Sequence, residues 1–162
     1  MNKNIFSNRG IIMVESMVAI TVLIVGLFGI MNLVSRSLSL NRVVSDQTVA
    51  ANLAMEGIEL VKNKIDSNVI QVRPWNFGIN EGEYEMDFTS DELLPNENRA
   101  FNYDSVSGQY TYGVGSPTRF IRILTIEQPA LDEMRVSSFV KWTTRGGGEF
   151  SVNLEDRFYN WR

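Results

Sequence analysis

The 162-residue sequence contains no cysteine and no histidine. Without cysteine no disulfide can form, so any folded part rests on its apolar core. Zinc centres of the Cys/His kind are excluded, as is nucleophilic machinery of the Ser-His-Asp or Cys-His type. Proline is scarce: there are four, and the first is Pro74. Nothing of that kind forces a helix to stop before it. Charge is almost missing from one stretch, since residues 11–34 hold a single ionisable side chain, Glu15. The whole chain carries −4, and without its first ten residues, which include Lys3 and Arg9, it carries −6 (13 basic against 19 acidic). An acidic body has no electrostatic reason to track a phosphate backbone, so the expectation is that no nucleic acid is bound directly.

What is present begins with Ile11 to Val34, IIMVESMVAITVLIVGLFGIMNLV. As a helix this run would span about 36 Å, enough to cross a hydrocarbon core of about 30 Å. Its length without a turn signal argues against a pair of buried strands. The short basic segment before it predicts a cytoplasmic amino end and an exported remainder. A secretory signal peptide would have a shorter apolar core followed by a small-residue cleavage site. Here the small residue, Gly10, comes before the run, and Ser35-Arg36-Ser37-Leu38 follows it. Glu15 is out of place in a simple anchor, because a carboxylate at membrane depth costs a few kcal/mol. About one turn after Ile11, it could pair with an amine on a neighbouring chain, so that only a correctly staggered neighbour satisfies it.

The stretch Arg9-Gly10-Ile11-Ile12-Met13-Val14-Glu15-Ser16 resembles the leader of type IV prepilins: a basic residue, Gly, the cut, a hydrophobic first mature residue, then Glu. In that family an aspartic prepilin peptidase cuts after the Gly and methylates the new amino terminus. The resemblance implies that Gly10 is the cleavage residue, Ile11 the methylated terminus and Glu15 the assembly carboxylate. Ile11 departs from the Phe common at the first mature position. The partners implied are other pilin or pseudopilin subunits, the prepilin peptidase, an inner-membrane assembly platform and membrane lipid. The implied location is the inner membrane as a single-pass protein, and then a pilus or pseudopilus.

Beyond Val34 the sequence stays helix-compatible through residue 67. Leu40, Val44, Gln47, Ala51, Ala54, Ile58, Val61 and Ile65 recur at spacings of four and three, one stripe against which a sheet can pack. Gly57, on the flank of that stripe, would admit close backbone approach. Ala51, Ala54, Ile58, Val61 and Ile65 are the expected helix–head packing residues. A helix from Ile11 to Ser67 would be about 85 Å long. From residue 68 the patches are strand-like: Glu83–Phe88, Gln109–Val114, Arg119–Gln128, Met134–Thr144 and Glu149–Phe158, with Arg145-Gly146-Gly147-Gly148 as a hairpin loop. Residues 89–108 read as turn-rich. The expectation is an α+β fold in which a long N-terminal helix, half membrane and half amphipathic, packs on a small antiparallel sheet of three or four strands. The segments are a leader (1–10), a membrane or filament-core helix (11–34), an amphipathic helix (35–67) and a β-rich head (68–162). The order of the last strands, and Ala51 to Glu59 in the helix, resemble minor pilins of the V branch and related prepilin-like proteins.

Other candidate sites have blander readings. Asp87, Asp91 and Glu92 could form an acidic pair, but a solvated loop flank is the simpler account. Asp104-Ser105-Val106-Ser107-Gly108 lacks the carboxylates of a calcium loop of the EF-hand type. Trp75, Trp142 and Trp161 read as core or subunit-contact aromatics, and Gly146–Gly148 lacks the Lys-Ser/Thr of a phosphate loop. No catalytic residue, metal site or cofactor is expected. The leading function is a minor pilin or pseudopilin of a type IV pilus, competence pilus or type II secretion system. The alternatives are a major pilin, a pilus-tip adhesin or a membrane-anchored enzyme.

Overall fold

The computed structural model describes residues 7–144 and 147–160, with side chains from Gly10 onward. It has one helix, α1 (Ser7–Ile70), and seven strands: β1 (Gly82–Glu85), β2 (Leu94–Pro95), β3 (Ala100–Asp104), β4 (Gln109–Thr111), β5 (Ser116–Ala130), β6 (Glu133–Thr143) and β7 (Glu149–Tyr159). The fold is α+β. Contacts divide the chain into one unit ending at Val44 and another beginning at Ser45. Trp161 and Gly146 lie outside the described residues.

In the first unit the apolar run is a helix long and apolar enough to cross a membrane. Its large side chains are exposed throughout, from Ile11 to Val34. Three of the polar residues within it are handled locally. Ser16 Oγ donates to the Ile12 carbonyl (2.8 Å), Thr21 Oγ1 to that of Met17 (2.7 Å) and Asn32 Nδ2 to that of Phe28 (3.0 Å). Each of these groups thus carries its hydrogen bond internally, as a hydrocarbon medium requires.

In the second unit β5 is the central strand of an antiparallel sheet. One edge of β5 pairs with β6 and then β7. The other pairs with β3 near Pro117 and Ile121 and with β1 at Leu124 to Ile126. β2 extends β1, and β4 extends β3. The sheet therefore has seven strands, not three or four. Five of them lie at the strand-like patches, and β2 and β3 form in the segment read as turn-rich. Along β5 the buried side chains are Phe120, Arg122, Leu124 and Ile126; along β6 they are Met134, Val136, Ser138, Val140 and Trp142. This strict alternation is the mark of a sheet with one face on a core.

α1 covers that face through two apolar clusters. Ala50, Leu53 and Ala54 pack with Phe101, Phe120, Val140 and Trp142. Val61 and Ile65 pack with Leu124, Ile126, Met134, Val136 and Trp75. Between them Gly57 faces the sheet. A Cβ there would stand 2.5 Å from Ser138 Oγ and 2.7 Å from Leu124 Cδ2, so the helix approaches closely only because the side chain is missing. Gly57 is the centre of the contact, not its flank. The packed face is consequently rotated from the expected stripe: Ala54, Val61 and Ile65 are buried, while Ala51 and Ile58 are half-buried beside Ala50, Leu53 and Gly57.

The helix ends at Ile70, three residues past the expected Ser67. Arg73 N donates to Asn68 O (2.9 Å) and Val72 N to Val69 O (3.0 Å), the pair of bonds that closes a Schellman motif. Buried Asn68 braces the following loop by donating to the carbonyls of Trp75 (3.1 Å) and Phe77 (2.8 Å). The left-handed position of the motif is held by Val72, at φ 58°, with its side chain 94% exposed. Glycine is usual there because a Cβ, above all a branched one, crowds the backbone. Val72→Gly is expected to stabilise the second unit by about 1 kcal/mol, read as a raised melting temperature. A lowered one would show that Val72 makes a contact of value in the folded chain.

Candidate functional site

The residues singled out near the amino end all lie on α1. Gly10 and Ile11 are exposed on the helix, and a Cβ at Gly10 would meet nothing within 4 Å. The helix already includes Ser7 to Gly10, upstream of the expected start at Ile11. Glu15 is exposed, and its carboxylate has no hydrogen bond or ion pair with a described residue. It differs in this from Ser16, Thr21 and Asn32, the other polar side chains of the run. Within a hydrocarbon medium such a carboxylate would need water at the membrane edge, a partner from outside the helix, or a proton.

In the second unit the notable polar groups are buried ones. Arg122, on β5, is fully buried. Its Nη1 donates to the Leu53 carbonyl of α1 (2.7 Å), its Nη2 donates to the Met86 carbonyl, and Glu56 Oε1 lies 3.5 Å from Nη1. Its guanidinium stacks over Phe101 at 4.9 Å. Burial pushes its pKa down, opposed first by the Glu56 carboxylate. One side chain thus ties the central strand to the helix and to the chain leaving β1. Sequence reasoning did not single out Arg122. The signal was its parity with Phe120, Leu124 and Ile126, masked by Ile121 and Ile123 on the opposite face.

Asp87 is neither half of an acidic pair nor a solvated flank. It is buried, and its carboxylate accepts from Thr89 N, Thr89 Oγ1, Ser90 Oγ, Thr111 Oγ1 and Tyr112 N at 2.7–3.0 Å. Burial alone would raise its pKa, but these hydrogen bonds outweigh it and bring the value down to about 2. This network also ends the strand at Glu85, short of the expected Phe88. Because the folded pKa lies below the unfolded value of about 3.9, the stabilisation is full above that value. It is lost as pH falls through about 2. Asp87→Asn should remove about 2 kcal/mol near neutrality and much less near pH 2. Melting temperatures of both chains across that range test this, and a constant gap between them would contradict it. Asp91 and Glu92 are exposed, and the Asp91 carbonyl accepts from Lys64 Nζ at 2.8 Å.

Asp104 closes the β3–β4 turn. It accepts from Val106 N (2.9 Å), Ser107 N (3.3 Å) and Ser107 Oγ (2.7 Å), and these bonds lower its pKa. Its oxygens are committed to the turn. Among the described residues no group of three or more acidic side chains converges as a metal site would require. Trp75 and Trp142 are buried in the two clusters.

Comparison with known proteins gives no match: no family model, no curated protein and no solved structure is significantly similar to the chain. The architecture itself is pilin-like, with a long N-terminal apolar helix whose later turns pack on an antiparallel sheet.

Proposed function

We propose that the chain is a non-enzymatic structural or assembly subunit of the type IV pilin kind, most simply a minor pilin or pseudopilin. Cleavage after Gly10 would free the amine of Ile11, and the apolar helix would serve first as a membrane anchor and then in a filament core. The observation that carries this reading is Glu15. In the run from Ile11 to Val34 it is the one polar side chain without a hydrogen bond among the described residues. A plain anchor gains nothing from such a group, whereas a bundle of staggered helices can match it with a neighbour's amino terminus.

The test is the intact mass of the chain recovered from membranes of a host with a prepilin peptidase. The expected species starts at Ile11 and carries one added methyl group. Gly10→Val should block the cut without preventing insertion. A wild-type chain that keeps its first ten residues, or is cut downstream of the apolar run, would overturn the proposal.

A further inference from the structure

A groove of about 390 Å³ lies between α1 at Leu53, Phe88 and the β3–β4 turn at Gly108 and Gln109. Every residue lining it lies from Val49 onward. Hydrogen bonds brace its walls. The five hydrogen bonds to Asp87 set the corner that carries Phe88, and Asp104 sets the turn that carries Gln109. On this rigid corner Phe88 is 43% exposed and joins neither apolar cluster. Tyr110 adds a second, half-buried ring.

Two polar groups at the groove are not used by the fold. The side-chain amides of Asn52 and Gln109 make no hydrogen bond with a described residue. The third, the Glu56 carboxylate, is engaged by the fold: its buried Oε1 faces Arg122 Nη1 at 3.5 Å. The amides offer paired donors and acceptors, and the rings offer apolar faces. No Lys or Arg lines the groove, which disfavours phosphates and carboxylates next to Glu56. A ligand with an apolar ring face and an edge of hydroxyl groups meets all of these at once.

We infer that this groove is a binding site for a neutral saccharide, with Phe88 as the stacking platform and Asn52 and Gln109 holding hydroxyl groups. The site does not depend on whether the chain enters a filament. The test uses the full-length chain in a sugar-free zwitterionic detergent, titrated calorimetrically with triacetylchitotriose, lactose and mannotriose. At least one of these should bind saturably. Phe88→Ala and Gln109→Ala should each weaken that binding about tenfold. Their melting temperatures should stay at the wild-type value, because both side chains lie outside the core. Binding lost in these variants while processing after Gly10 is normal separates this inference from the assembly role. No saturable binding of any of the three by the wild-type chain, or binding that both variants retain in full, overturns it.

Discussion

Arg122→Met should destabilise the sheet-bearing unit by about 3 kcal/mol, lowering its melting temperature by about 10 °C or more. Methionine is of similar length and apolar, so volume is roughly kept and the loss isolates the polar groups. The carbonyls of Leu53 and Met86 would each lose a donor, and Glu56 its only cationic neighbour among the described residues. Breaking a buried ionic cluster from one side is costly because the remaining groups stay desolvated. Arg122→Lys should fall between the two. An ammonium keeps the charge but cannot reach two carbonyls on different segments with one planar fork. A Met variant as stable as wild type would mean that the fork is incidental to the join between helix and sheet.

Glu15→Ala should have the opposite profile: no loss of folding, and loss of assembly. The substitution removes a carboxylate from an apolar run, so insertion is unimpaired or improved. The proposed cut after Gly10 should be unaffected, since that position and Ile11 are unchanged. In a bundle of helices, however, effective dielectric is low, and the new amine of a neighbour would be left without its counter-charge. Glu15→Gln separates the two properties of the side chain. It keeps size and hydrogen bonding but not charge, and should fail nearly as fully as alanine if the interaction is ionic.

The long helix was legible because its signals are negative: no proline before Pro74, and no turn signal in the apolar run. Its end was less so. The motif that stops α1 places Val72 where glycine would have announced a cap, and the expected end fell three residues early. The packed face was misjudged by part of a turn because Ala50, Ala51, Ala54 and Gly57 are all small. Hydrophobic periodicity then gives little weight to the positions where the backbones come closest. Strands β5, β6 and β7 were visible as alternation in sequences able to cover one face. β3 was not, because Asn102 and Asp104 carry turn chemistry into a strand. Asn102 donates to the Gly113 carbonyl (2.6 Å), and Asp104 holds the next turn. Asp87 had a readable sign in Asp-Phe-Thr-Ser, a carboxylate followed two and three residues later by hydroxyl and amide donors. What no local pattern reveals is that Thr111 and Tyr112 complete that network from 24 and 25 residues away.

The most direct measurement of the assembly role is a fractionation of cells that make wild-type chain, Glu15→Ala and Glu15→Gln. Sheared surface material is compared with membranes by immunoblot and intact mass. The account predicts wild-type chain beginning at Ile11 in the sheared fraction. It predicts both variants cut at the same bond but retained in the membrane. Equal recovery of all three from the sheared fraction would contradict Glu15 as the assembly carboxylate. Wild-type chain confined to the membrane with its first ten residues intact would contradict the subunit role itself.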